Sequence, residues 1–237
     1  MKRHFKTLVM VMTCMAMALC VSCKKDDDNK PTDGGDTGGY GIGIHEYVDL
    51  GLPSGLLWAT CNIGAASPED YGGYFAWGET QTKYTYRWSN YKWCDGSATS
   101  LTKYCTDSGY GTVDDKTVLD PEDDAVHVNW GGTWRMPTVA EMQELKDNCS
   151  SEWTTQNGVN GRKFTGSNGN SIFLPSAGSF DGASLDDAGS YGYYWSSSLM
   201  TGYPNNARYV YFNSGSVRVN FEGRYFGCSV RPVCNPQ

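Results

Sequence analysis

Trp130-Gly131-Gly132-Thr133-Trp134-Arg135-Met136-Pro137-Thr138 lies in the middle of a 237-residue chain and runs straight into Val139-Ala140-Glu141-Met142. Thr138 with Glu141 three positions on is a capping box: each side chain satisfies the other residue's backbone N–H, so a helix begins there. Val139, Met142 and Leu145, with Cys149, give that helix one apolar stripe. Upstream, Asp120 before Pro121, Glu122, Asp123 and Asp124 reads as an N-cap, a first-turn proline and acids set against the helix dipole. Two helices of about ten residues each are therefore expected, and no more. Strand signals surround them at residues 47–50, 56–60, 74–77 and 171–174. Residues 207–212 and 217–221 flank the turn-rich Asn213-Ser214-Gly215-Ser216 and read as a hairpin. The expectation is an α+β domain with long Gly-, Ser- and Asn-rich loops.

The chain opens differently. Lys2, Arg3 and Lys6 precede an apolar run that ends at Val21-Ser22, just before Cys23. Residues 1–22 read as a secretory signal, and Leu19-Cys20-Val21-Ser22 before Cys23 resembles a bacterial lipobox with Cys23 as the lipidated residue. Several acyl chains on one cysteine hold a protein to a membrane where a single chain does not. Residues 23–39 contain five Asp, three Lys, four Gly and one Pro. Such a stretch buries too little apolar surface to fold, so it reads as a tether to a single domain at 40–237. Its basic-then-acidic order resembles the export signal that sends Bacteroidota lipoproteins to the outer face of the outer membrane. Beyond residue 22, 16 basic residues against 26 acidic ones leave a net charge of −10. That balance argues against nucleic acid or an anionic membrane surface as partner, because both reward basic patches.

A search for chemistry finds little. The mature chain has two histidines, His45 and His127, and no G-x-S-x-G, H-E-x-x-H or Walker sequence. Cys61, Cys94, Cys105, Cys149, Cys228 and Cys234 fit no metal or redox spacing, and both disulfides and inert buried thiols suit them. Asp114, Asp115, Asp120, Glu122, Asp123 and Asp124 offer oxygen, but the calcium-loop order is missing and a helix start accounts for four of the six. No catalytic residue, cofactor or resident metal is assigned. Arg135, between Trp134 and Met136, is expected to serve structure by stacking or by bridging loop carbonyls.

Four further motifs accompany the Trp130–Thr138 stretch. Val48-Asp49-Leu50-Gly51-Leu52-Pro53-Ser54-Gly55-Leu56-Leu57-Trp58-Ala59, Phe173-Leu174-Pro175-Ser176-Ala177-Gly178, Tyr194-Trp195-Ser196-Ser197-Ser198 and Cys228-Ser229-Val230-Arg231-Pro232-Val233 follow in order. This series resembles the Fibrobacter succinogenes major paralogous domain. The resemblance implies a C-type lectin-like fold: two short helices, a small twisted antiparallel sheet and long loops. It does not imply calcium-dependent sugar binding, since the Glu-Pro-Asn, Gln-Pro-Asp and Trp-Asn-Asp tripeptides are absent.

The C-terminal part is similar to the variable regions of retroelement-diversified proteins. Between Tyr191 and Arg231, Tyr, Ser, Gly and Asn make up 22 of 41 residues, joined by Arg208, Arg218, Arg224 and Arg231. Tyrosine gives rigid amphipathic contact area, and the small polar residues adapt their hydrogen bonds, which is the chemistry of a paratope. Strand alternation sharpens the reading. Val210 and Phe212 are taken as inward, turning Tyr209 and Tyr211 outward. Val217, Val219 and Phe221 point inward on the second arm, leaving Arg218, Asn220 and Glu222 outward. Asn213 in the turn, with Arg224 and Tyr225 just beyond, completes the expected ligand face. The chain is thus read as a surface-anchored binding module for a protein or glycan, against the alternatives of a glycan-active enzyme or a structural part of a surface appendage.

Overall fold

Trp58 holds the two ends of the folded chain together: it pairs with Val48 on one side and Val233 on the other. The computed structural model describes residues 38–39 and 45–236. The chain divides into two units, Met1–Gly35 and Asp36–Gln237, and the described residues all lie in the second. The signal segment at 1–22, Cys23 and the tether through residue 37 fall outside the described residues.

A four-stranded sheet runs β1 (Gly38–Gly39), β2 (Tyr47–Asp49), β3 (Leu57–Ala59), β12 (Val233–Cys234). Strand pairing thus takes in Gly38 and Gly39, the last two residues of the segment read as tether. A second sheet meanders through β4 (Ser150–Gln156), β5 (Val159–Thr165) and β6 (Ser171–Pro175), and β7 (Ser179–Asp181) pairs with β8 (Ser184–Asp186). The sheet that matters most here has β10 (Asn206–Phe212) between β9 (Gly192–Leu199) and β11 (Val217–Gly223). All of these strand pairings are antiparallel.

The α+β, C-type lectin-like expectation is corrected: the described residues are mostly β, with 35% strand in four small antiparallel sheets and 11% helix. One of the two expected helices is full length. α2 (Val139–Asn148) carries the capping box as read: Thr138 Oγ1 accepts from the Glu141 N–H, and Glu141 Oε2 accepts from the Thr138 N–H. The other helix is broken. Pro121–Asp123 makes only a 3-10 turn, and α1 (Ala125–Trp130) starts afresh with Asp124 as its cap. Asp124 Oδ1 accepts from the N–H groups of Val126 and His127 at 2.8 and 3.1 Å, so Asp124 rather than Asp120 does the capping. Gly131 then ends α1 at φ 71°, a left-handed conformation that suits glycine.

Two apolar clusters pack against opposite faces of the β9–β10–β11 sheet. Trp77, Trp134, Trp195 and Tyr209 belong to one; Trp58, Met142, Leu145, Tyr194, Val210 and Phe212 belong to the other. The second cluster docks α2 onto the sheet. Gly192 is needed there because a Cβ on it would stand 2.3 Å from the Phe212 ring.

Candidate binding face

On the face of this sheet opposite α2, the side chains line up in rows across the strands. Tyr193 of β9 pairs with Tyr211 of β10, which pairs with Arg218 of β11. The next row is Trp195, Tyr209, Asn220, and beyond it Leu199, Ala207, Glu222. The expectation that Tyr209, Tyr211, Arg218, Asn220 and Glu222 share one face matches this register. Their exposure does not match uniformly. Tyr209 is buried, its ring edge-on to Trp195 at 5.8 Å, because the first core cluster covers that end of the face. Tyr211 is half-buried, while Arg218, Asn220 and Glu222 are exposed. The face therefore grades from core to solvent, and Tyr209 belongs to the core.

The solvent end carries an aromatic cluster. Tyr193 and Tyr211 stack at 6.2 Å and 18°; Tyr191 stacks on Tyr193 at 6.1 Å and on Tyr211 at 6.5 Å. All three are half-buried, so three nearly parallel rings present their flanks together. The Tyr193 hydroxyl donates to Asp187 Oδ2 at 2.8 Å, and burial together with that bond raises its pKa well above the ordinary tyrosine value. Tyr193 stays a neutral donor at any physiological pH. Beside Tyr191 opens a cleft of about 550 Å³ whose walls include Trp153, Asn160, Ser190, Asn213 and Ser214. Asn213 is committed locally: its Oδ1 accepts from the N–H groups of Gly215 and Ser216 and so shapes the hairpin turn. Tyr191, Tyr193, Asp187 and Trp153 were not among the expected site residues. The signal for two of them was present, since Tyr193 lies on the strand that pairs with Tyr211 and Tyr191 stands two residues before it, just ahead of that strand.

Two expected residues sit elsewhere. Arg224 is fully enclosed. Its Nε donates to the Tyr91 hydroxyl at 2.8 Å, its Nη1 to the carbonyls of Tyr104 and Pro204, and its Nη2 to that of Lys103. The guanidinium also lies 5.0 Å from the Trp77 ring. Enclosed and held by four hydrogen bonds, Arg224 fastens the chain after β11 to the 91–104 loop and is removed from the ligand face. Arg231 plays the same part against the carbonyls of Ala59, Thr60 and Phe173 and the side chain of Asn62. Tyr225 is half-buried against Trp88 and Phe226, on a separate aromatic patch, and burial lifts its pKa to about 12. Of the four C-terminal arginines, Arg218 is exposed and unengaged by any described residue.

The acidic segment is neutralised from within. Asp123 accepts from Lys92 Nζ at 3.0 Å, Lys103 Nζ at 2.7 Å and the Tyr104 hydroxyl at 2.7 Å. Asp120 pairs with Lys103 and Lys116, and Asp114 accepts three backbone N–H groups. No group of three or more His, Cys, Asp or Glu among the described residues is placed to hold a metal ion. The six cysteines of this unit are free thiols, four of them buried. A further cleft, of about 460 Å³, runs past Val118, His127, Trp134 and Arg135. Arg135 there forms a bidentate pair with Glu141 at 2.6 and 2.7 Å, which ties the Trp134-Arg135-Met136 segment to the first turn of α2.

Compared with known families, residues 51–234 match the Lcl C-terminal domain. The chain belongs to that family. The match covers every residue of the tyrosine face and both helices of this Lcl C-terminal domain. Neither the curated proteins nor the solved structures contain a match.

Proposed function

We propose that this Lcl C-terminal domain is a surface-anchored binding module, and that its ligand, a protein or a glycan, seats on the face formed by Tyr191, Tyr193, Tyr211 and Arg218. One observation carries the reading: three half-exposed tyrosines stacked nearly parallel, with an unengaged arginine in the same cross-strand row. Tyrosine and arginine are the side chains that most often dominate interfaces, because each offers broad contact area with a directed polar end. The neighbouring cleft adds Trp153 and the amide of Asn160 as further contacts.

The finer identity is also a proposal. The lipobox before Cys23 and the Asp/Lys/Gly tether support a lipoprotein of the outer membrane that faces the cell exterior, with the paralogous-domain motifs favouring a Bacteroidota-type cell. The Tyr, Ser, Gly and Asn content of residues 191–231 supports diversification by a retroelement. Nucleic acid is disfavoured as partner by the net charge of −10 left by 16 basic and 26 acidic residues. No catalytic step and no cofactor belongs to this reading. The test is to pan the protein against bacterial and host surface proteins and a glycan array, then to ask whether Tyr193→Ala and Tyr211→Ala lose whatever is captured. Retention of full affinity by both variants rejects the site.

A further inference from the structure

We propose that two copies of this chain join edge to edge through β11, merging their three-stranded sheets into one sheet of six strands. β11 is the outer strand of its sheet, and no other described strand pairs with it. The Asn213 N–H donates to the Ser216 carbonyl at 3.1 Å, so these two form a hydrogen-bonded pair at the head of the hairpin. Bonded and non-bonded pairs alternate along an antiparallel ladder, which makes Tyr211/Arg218, Tyr209/Asn220 and Ala207/Glu222 the bonded pairs. The N–H and C=O groups of Val217, Val219 and Phe221 consequently point away from β10. No described backbone group outside the sheet hydrogen-bonds to them. Such an edge is a template for another strand.

The side-chain order says which strand fits. Arg218 and Glu222 lie on one face, each two residues from Asn220 and opposite in charge. About 13 Å apart along the strand, they are too far from each other to pair within one chain. Neither takes part in any ion pair among the described residues. A second β11, laid antiparallel about a two-fold axis through Asn220, sets Arg218 opposite Glu222 of the second copy and Glu222 opposite its Arg218. Each charge then has one partner, and the dimer gains two ion pairs. On the reverse face Val219 meets Phe221 of the second copy, covering an aromatic ring that is 37% exposed in the single chain. Those Val219–Phe221 pairs are the ones whose outward N–H and C=O groups meet, and they supply four backbone hydrogen bonds. Gly223 closes the run, its N–H donating to Glu222 Oε1 and its carbonyl accepting from Phe226.

The register is selective. Moving the axis one residue either way sets Asn220 opposite Arg218 or opposite Glu222, and no charge finds its complement. Because the axis stands perpendicular to the sheet, the tyrosine clusters of both copies end on the same side. A repetitive ligand would then engage two faces at once, and its second contact would be intramolecular. The pairing goes beyond the binding reading and stands without it; once Arg218 is paired across the dimer, Tyr191, Tyr193 and Tyr211 remain as the ligand contacts.

The experiment is sedimentation equilibrium of the full chain in a mild detergent. A reversible dimer is expected, its dissociation constant weakened at least about tenfold by Arg218→Glu and returned to within about threefold of wild type by Arg218→Glu combined with Glu222→Arg. Asn220→Cys supplies an independent reading. The two Asn220 residues form a non-bonded pair with Cα atoms about 4.5 Å apart, within disulfide reach, so mild oxidation must give a covalent dimer well above the wild-type background. A wild-type chain that stays monomeric at all concentrations overturns the proposal. So does a dimer indifferent to Arg218→Glu, a charge swap no tighter than the single variant, or an Asn220→Cys chain that fails to cross-link. Should Arg218→Glu not fold, the Asn220→Cys result decides alone.

Discussion

Tyr209 and Tyr211, two residues apart on β10 and on the same face, stand in different solvents: Tyr209 is 5% exposed against Trp195, whereas Tyr211 is half-buried in a stack with Tyr191 and Tyr193. Truncating a buried aromatic removes its transfer energy and leaves a cavity, whereas a half-exposed ring loses less of both. Tyr209→Ala, Val210→Ala and Phe212→Ala are each expected to cost on the order of 2–4 kcal/mol of stability. Tyr211→Ala is expected to cost under about 1.5 kcal/mol. Thermal and denaturant melts of the four variants check this, and a Tyr211→Ala variant as unstable as Tyr209→Ala goes against the assigned exposure.

Arg224 and Arg218 separate in the same way. Arg224 donates four hydrogen bonds inside the protein, so Arg224→Ala strands buried carbonyls as well as losing the bonds. The expected loss is on the order of 3 kcal/mol or more, with Arg224→Lys rescuing only part of it because a point charge cannot reproduce the fork. Arg218→Ala is expected to melt like wild type at dilutions where the chain is a single copy. Equal melting temperatures for Arg224→Ala and Arg218→Ala contradict the structural role.

These pairs show what the sequence made legible. The hairpin at 206–223 and the capping box at Thr138 were readable, because turn chemistry and cap spacing are local. Which end of the tyrosine face is core was not, since Trp195 and the first apolar cluster arrive from distant parts of the chain. Arg224 misled for the same reason: an arginine two residues past the exposed Glu222 looks like surface until the 91–104 loop closes over it. The α1 start was misplaced by four residues because Pro121 favours a first turn, and Asp124 then offers a better cap with bonds to Val126, His127 and Met136. β4 (Ser-Ser-Glu-Trp-Thr-Thr-Gln) was overlooked because an outer strand with little burial shows no apolar alternation.

Acid should unfold the protein through Asp123. Burial works against its charge, but hydrogen bonds from Lys103, Tyr104 and Lys92 outweigh it and hold the carboxyl below its ordinary value. A folded pKa below the unfolded one gives stability that is complete above the unfolded value, about 3.9, and lost as pH falls through the folded value. Asp114 and Asp120, also lowered, act in the same direction. Asp124, raised by burial, acts in the opposite direction and softens the slope. The melting temperature is expected to fall as pH drops below about 4, and Asp123→Asn to flatten that fall while lowering the neutral-pH plateau. A curve for Asp123→Asn parallel to wild type rules the network out as the cause.

Cys23→Ala is expected to leave the protein unanchored. Labelled palmitate incorporation and membrane partition check it, and a variant that keeps both the label and the membrane fraction removes the lipid anchor from the account.

A binding face and an ordinary exposed surface are told apart by comparing two tyrosines. Tyr84 is 96% exposed and outside the stack, which makes it a matched surface control for Tyr211. Affinity for a panned partner is to be measured by titration for wild type, Tyr211→Ala and Tyr84→Ala. A ligand seated on the tyrosine stack requires a loss of about thirtyfold for Tyr211→Ala, near 2 kcal/mol, and no change for Tyr84→Ala. Unchanged affinity for Tyr211→Ala in a folded protein contradicts it.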